Sequence, residues 1–135
     1  MSNEQVPIGA ITDRPVVFVD ADATLRDAAE LLDRETIGVA IVRGTGSTSL
    51  ISERDIIRAL AEGAHPDRER VGNVATLDVE VIDSTEPIMR AARTMLDNQI
   101  RHLPVLRGDR VIGVVSVRDV LTAVISTPGV VPSHR

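Results

Sequence analysis

The chain has 135 residues, a net charge of −5 and no Cys, which excludes disulfides, cysteine–zinc sites and thiolate catalysis. The acidic net charge argues against duplex nucleic-acid binding, and a single aromatic residue leaves no platform for base stacking. The absence of Lys excludes Schiff-base chemistry. The length suits one domain, and the short polar start and short apolar runs lead us to expect a soluble, cytoplasmic protein without a signal peptide or membrane span.

The most informative feature of the sequence is an internal repeat. Residues 8–37 match residues 71–100 at an offset of 63, and after one inserted residue 49–55 match 113–119 at an offset of 64. A register held over most of the chain indicates a duplicated unit. We therefore predict two repeats over residues 8–63 and 71–126, a linker over 64–70, and flexible termini over 1–7 and 127–135.

The first copy predicts the order strand, helix, strand, strand, helix. A β-branched strand over 16–19 precedes a helix capped by Thr24, and further strands are expected over 38–42 and 50–51. The spacing of one helical face predicts that this helix buries Leu25, Ala28, Ala29 and Leu32. A second helix starts after Ser52, and the polar segment 63–70 is expected to be a solvated connection.

The second copy predicts the same order, with strands over 79–82, 103–106 and 110–115. Pro87 stands in the first turn of its first helix, whose apolar face is Ile88, Ala91, Ala92 and Met95. The last helix starts after Ser116, and residues 126–135 are expected to form a frayed tail. The predicted fold class is therefore α+β (α/β mixed), with two β-α-β-β-α repeats.

A short motif of two apolar residues, Ser, any residue, Arg and Asp occurs at the expected start of the last helix in each copy. It comprises Ser52, Arg54 and Asp55 in the first copy and Ser116, Arg118 and Asp119 in the second. In a structural interpretation, Ser is the helix N-cap and Asp completes a capping box. In a functional interpretation, the helix N-terminus, Ser and Arg bind phosphate, and Asp accepts hydrogen bonds from a ribose. Both interpretations are open at this stage.

The other polar residues indicate no metal or catalytic site. His65 in the linker and His134 in the tail are expected to be exposed, and His102 either packs or contacts phosphate. Three scattered histidines without cysteine offer no metal-ligand spacing. Because no nucleophile, base and orienting group form a recognisable set, we expect the chain not to be an enzyme.

These repeats, the two motifs and the segment 100–105 (Ile-Arg-His-Leu-Pro-Val) resemble a tandem pair of CBS domains, a Bateman module, named after cystathionine β-synthase. The resemblance covers roughly residues 8–125, nearly the whole chain. It implies two repeats packed sheet against sheet about a pseudo-two-fold axis. It also implies two clefts between them that bind AMP, ADP, ATP or a related ligand such as S-adenosylmethionine or NAD. No other cofactor is expected.

The resemblance also implies roles for individual residues. The motif Asp residues, Asp55 and Asp119, would hold the ribose, and Ser52 and Ser116 would contact phosphate or ribose. Further residues would lie near the ligand because they precede the central strand of each repeat: Ile37, Gly38, Ile100, Arg101 and His102. One cleft would combine Asp119 and Ser116 with Ile37 and Gly38, and the other would combine Asp55 and Ser52 with Ile100 and its neighbours.

The first copy departs from the family pattern, so the two clefts are expected to differ in affinity. Ser49 replaces the usual Gly, Ile41 replaces the Pro of the second copy, and Gly38 stands where that copy has Arg101. The favoured function is a regulatory module that senses an adenine nucleotide and forms a homodimer, with a regulated protein partner. The alternative is a ligand-free structural or dimerisation module. Catalysis and nucleic-acid binding are least favoured.

Overall fold

The computed structural model of the protein describes residues 5–12 and 14–126. This part of the chain forms two compact units. The N-unit is Val16–Val79, and the C-unit combines the residues from Glu80 onward with those that precede Val16. Of the predicted flexible termini, residues 1–4 and 127–135 lie outside the described residues, as does His134.

The N-unit is a three-stranded sheet with helices packed on it. Its elements are β1 (Phe18–Asp20), α1 (Leu25–Glu35), β2 (Val39–Arg43), β3 (Ser49–Ser52), α2 (Glu53–Ala61) and α3 (Val71–Val74). Strand β1 runs parallel to β2, and β2 runs antiparallel to β3. The core of this unit includes Leu25, Leu32, Ile51, Ile56 and Val71. The predicted order of strands and helices is therefore confirmed for the first copy.

The C-unit repeats this architecture. A 3-10 turn (Ile8–Ile11) belongs to it, followed by β4 (Ile82–Asp83), α4 (Ile88–Asn98), β5 (His102–Arg107), β6 (Arg110–Ser116) and α5 (Val117–Ile125). Strand β4 is parallel to β5, and β5 is antiparallel to β6. Its core includes Ile8, Ile88, Met95, Leu103 and Val115. The mixed α+β fold class and the second β-α-β-β-α repeat are confirmed.

The compact units are offset from the sequence copies. Ile8 opens the first copy, yet it is fully buried in the core of the C-unit, and its amide donates to the Glu86 carbonyl at 2.7 Å. Val71 opens the second copy in the same way, but it is buried in the N-unit and its amide donates to the Ala23 carbonyl at 2.8 Å. Each unit therefore takes its opening segment from the other sequence copy.

Several local predictions differ from the structure. The edge strands begin later than predicted, at Phe18 and Ile82, because the parallel ladders start only where these residues pair with Ile41 and Val105. Ala29, predicted to be buried, is exposed because it lines an open groove between α1 and α2. Helix α3 and the 3-10 turn were not predicted, since each is only one turn long.

The linker is more ordered than its polar composition suggested. The carbonyls of Glu69 and Pro66 accept hydrogen bonds at 3.0 Å from the amides of Leu25 and Arg26, at the start of α1, where helix amides lack intrahelical partners. The Arg26 guanidinium forms a bidentate ion pair with Asp67, whose second contact is 3.0 Å. The hydrogen bond from Arg26 lowers the pKa of Asp67 below its usual value and raises the pKa of Arg26. The linker is thus held against α1.

Candidate functional site

Both motif serines are helix N-caps with complete capping boxes. At α2, the Ser52 hydroxyl accepts from the Asp55 amide at 3.1 Å, and Asp55 Oδ2 accepts from the Ser52 amide at 2.9 Å. At α5, the corresponding distances between Ser116 and Asp119 are 3.0 and 2.9 Å. The structural interpretation of the motif is therefore confirmed, and these side chains satisfy amides that the helices leave unpaired.

A third capping box occurs outside the two motifs. At the start of α1, Thr24 and Asp27 form the same reciprocal pair, at 3.1 and 3.0 Å. Arg26 stands between them, so the residue types Thr, Leu, Arg, Asp repeat the motif chemistry. The Thr24 cap was expected from the sequence but its partner Asp27 was not, although an acid three residues after a cap is the usual signal of a capping box.

The residue before the central strand lies beside the motif of its own unit. The Gly38 carbonyl accepts from the Glu53 amide at 2.9 Å, and the Arg101 carbonyl accepts from the Val117 amide at 3.0 Å. Cross-strand pairing also sets His102 opposite Ser116. We call Gly38 with residues 52–55 the first junction, and residues 101–102 with 116–119 the second junction. Each junction is thus a strand start joined to a helix start.

The remaining predicted site residues divide between the surface and the core. Arg54, Arg101 and Arg118 are exposed. Ile37 and Ile100 are partly buried and pack against the cores of their own units. The predicted combination of the motif of one copy with the strand start of the other stays a prediction.

The two junctions differ in the charges around the motif Asp. At the first junction, the side chain of Asp55 is 12% exposed, and its Oδ1 lies 3.9 Å from the Arg58 guanidinium. The Glu53 carboxylate also lies against Gly38, because a Cβ built on this glycine would be 2.7 Å from Glu53 Oε1. Glu53 and Arg58 were not among the residues expected from the sequence, although both positions differ between the two copies.

At the second junction, uncharged residues occupy the positions equivalent to Glu53 and Arg58, namely Val117 and Thr122. Asp119 is partly buried, and its capping bond involves Oδ2 only. A carboxylate has two acceptor oxygens, so Oδ1 of Asp119 can accept a further hydrogen bond. The second junction therefore combines Arg101 and Arg118 with a single carboxylate.

Neither a metal cluster nor a membrane span occurs within the described residues. No three side chains of His, Cys, Asp or Glu lie close enough there to hold a metal ion. None of the helices in residues 5–12 and 14–126 has both the length and the apolar character that crossing a bilayer requires.

The family model of the CBS domain matches residues 8–62 and 71–126. The chain belongs to the CBS domain family. It is 31% identical over 124 residues to the mitochondrial CBS domain-containing protein CBSX3 of Arabidopsis thaliana, an alignment that covers 87% of this chain and 60% of that protein. This CBS chain thus spans less than two thirds of the Arabidopsis relative. The resemblance inferred from the repeats and motifs is confirmed.

Solved structures of CBS proteins share the fold. A CBS domain protein from Pyrobaculum aerophilum complexed with AMP is 30% identical, with a TM-score of 0.74, and the match covers 84% of this chain and 89% of that one. A hexameric CBS-CP12 protein from bloom-forming cyanobacteria is 27% identical, with a TM-score of 0.78, over 85% of this chain and 66% of that one. Similar CBS proteins therefore include a nucleotide complex and an oligomer.

Proposed function

We propose that this CBS protein is a regulatory, non-catalytic module that binds an adenine nucleotide or a related adenosyl ligand and acts as a homodimer. The observation that carries the proposal is the second junction, where a helix N-terminus, two exposed arginines and an available carboxylate oxygen belong to one strand-to-helix connection. The AMP complex of the Pyrobaculum relative supports the same ligand class.

Each polar part of a nucleotide has a suitable partner among these groups. The start of α5 carries the partial positive charge of a helix N-terminus, which favours a phosphate. The Arg101 and Arg118 guanidiniums can add charge-assisted hydrogen bonds to phosphate oxygens. Asp119 Oδ1 can accept a hydrogen bond from a ribose hydroxyl, as the acidic residue of dinucleotide folds does. These groups favour a nucleotide over a free phosphate, because the Asp119 carboxylate repels phosphate but can accept a hydrogen bond from a sugar hydroxyl.

We propose that the second junction contributes more to nucleotide affinity than the first. At the first junction, Glu53 and Asp55 offset the charges of Arg54 and Arg58. The second junction contains two arginines, Arg101 and Arg118, and a single acid, so its local charge is more positive. Since a nucleotide phosphate is anionic, the difference in charge favours its binding beside the second junction.

Regulation would follow from a shift between conformations or assembly states. A nucleotide can shift such an equilibrium only by the difference between its affinities for the two states. A ligand bound at the starts of α2 and α5 would contact these helix ends directly, where the capping boxes satisfy the amides in the absence of ligand. The regulated protein partner would respond to this change.

A ligand-free structural module is the second candidate, and the capping boxes favour it. Ser52, Asp55, Ser116 and Asp119 all have partners without any ligand, and the Thr24 box shows the same chemistry at a helix start outside the motif. In that case the motif would stabilise helices and nothing else. Nucleotides would then leave the melting temperature unchanged.

Calorimetry and thermal shift on the wild-type chain separate the two candidates. AMP, ADP, ATP, S-adenosylmethionine and NAD are titrated in turn, and we expect at least one to bind and to raise the melting temperature by mass action. Asp119→Ala should weaken that binding more than Asp55→Ala. No binding by any of the five at millimolar concentration would exclude the nucleotide-sensing function and leave the structural module.

A further inference from the structure

A small groove lies between α1, α2 and the linker of the N-unit. It has a volume of about 330 Å³, which is at the lower end of the range for small-molecule sites. Leu25 and Ile56, which are buried, form its floor, and the other apolar residues that line it are Ala29, Leu60 and Pro66. Leu60 is 43% exposed, so a ligand in the groove would remove apolar surface from water.

The linker side of the groove is held in place by contacts with α1. The Pro66 carbonyl accepts a hydrogen bond from the Arg26 amide at 3.0 Å, and Asp67 forms the ion pair with the Arg26 guanidinium. Ala29 leaves space between α1 and α2, because its side chain is a single methyl group. The groove is therefore formed before any ligand binds, which lowers the cost of ordering on binding.

The charges at the rim of the groove are mainly negative. Glu30 and Asp33 are exposed and line the groove, and they lie on the same side of α1 because they are three positions apart. Arg26 is the only cation among the lining residues, and Asp67 offsets its charge. Neither Glu30 nor Asp33 forms an ion pair within the part of the chain that the structure describes. The groove thus presents two carboxylates beside an apolar surface.

The acidic pair is not needed to form the repeat. At the offset of 63, the positions of Glu30 and Asp33 are occupied on α4 by Arg93 and Leu96. Helix α4 nevertheless has the same length as α1, 11 residues. The two acids are therefore a feature of the N-unit alone, and they are available to select a ligand.

We propose that this groove binds a small organic cation, an ammonium ion carried on an aromatic or branched apolar group. The apolar group would lie against Ala29, Ile56 and Leu60, while the ammonium contacts Glu30 and Asp33. An anionic ligand would be repelled by these carboxylates. The volume suits one compact molecule, whereas a stable protein interface needs roughly 800 Å² on each partner. The proposed site shares no residue with either junction and does not depend on nucleotide binding.

Three probes that share an indole ring test the proposal. Tryptamine is cationic, tryptophol is neutral and indole-3-acetate is anionic, and each is titrated into the wild-type chain while amide shifts are followed by NMR. We expect tryptamine to shift the amides of residues 25–33 and 56–60. It should bind about three- to tenfold more tightly than tryptophol, because each exposed ion pair contributes modestly. Added salt should reduce this preference, and indole-3-acetate should bind most weakly.

Variants of the groove distinguish charge from shape. In the double variant Glu30→Gln, Asp33→Asn, tryptamine and tryptophol should bind equally, and in Ala29→Leu, which fills the groove, neither should bind. Glu35→Gln is the matched control, because it removes an exposed acid of α1 that does not line the groove.

The contrary outcomes are specific to this site. No binding of tryptamine at millimolar concentration would overturn the proposal, and so would equal binding of the three probes or an unchanged preference in the double variant. AMP titrations of the same samples test the nucleotide-binding function separately, since the groove and the junctions have no residue in common.

Discussion

Replacement of Asp119 by Asn separates helix capping from ligand binding. Asp119 Oδ2 accepts the hydrogen bond from the Ser116 amide at 2.9 Å, so the cap requires one acceptor oxygen. In Asp119→Asn, the side-chain carbonyl can keep this bond, while the second oxygen becomes an NH₂ donor. A ribose hydroxyl would lose its acceptor, whereas the start of α5 would stay capped.

The expected magnitudes follow from these two contacts. Loss of the carboxylate charge in the first turn of α5 should lower the free energy of unfolding by about 0.3–1 kcal/mol. Loss of a hydrogen bond to a charged acceptor should weaken nucleotide binding by about 1.5–3 kcal/mol, or roughly 10- to 150-fold in Kd. Asp27→Asn is the matched control, because Asp27 accepts from the Thr24 amide at 3.0 Å in the same kind of box, outside both junctions.

Urea unfolding and calorimetry measure the two effects on the same samples. We expect Asp119→Asn and Asp27→Asn to lose similar stability, and only Asp119→Asn to lose affinity for AMP. An unchanged Kd in Asp119→Asn would refute the role given to the second carboxylate oxygen. An equal loss of affinity in Asp27→Asn would show that the effect comes from general destabilisation.

Three further predictions concern other contacts. Arg26 lowers the folded-state pKa of Asp67, so the ion pair stabilises the fold above the unfolded pKa of about 4, and this stability is lost as the pH falls through the lower folded value. Asp67→Asn should therefore melt lower than wild type at neutral pH, and a deficit that does not shrink as the pH is lowered below about 4 would contradict this. Gly113→Ala should lower the free energy of unfolding, measured by urea titration, by about 1–3 kcal/mol, because the new Cβ would lie 2.3 Å from Thr12 Cγ2. The Thr12→Ser substitution removes that methyl group, so the double variant should regain most of the lost stability. Glu53→Gln should raise nucleotide affinity at the first junction about threefold in calorimetry of the Asp119→Asn chain, since one anion is removed near the phosphate, and unchanged or weaker binding would count against the charge argument.

The candidate site was only partly predictable from the sequence. The motif Ser, Arg and Asp residues were found because they recur in both copies, and the family resemblance rests on the same recurrence. Glu53 and Arg58 were missed because Val117 and Thr122 replace them in the second copy. Residues shared by the two copies do not reveal the charge of each junction, because that charge is set at positions where the copies differ.

Short-range patterns explain why the order of elements and the starts of α1, α2 and α5 were predicted correctly, whereas Pro87, expected in the first turn of α4, is its N-cap. A capping box joins residues three positions apart, so Ser52 and Ser116 could be assigned as N-caps without knowledge of the fold. Burial depends instead on which distant element covers a given face. Only the folded chain therefore shows that Ala29 is exposed beside a groove, that Ile8 belongs to the core of the C-unit, and that the polar linker holds the start of α1.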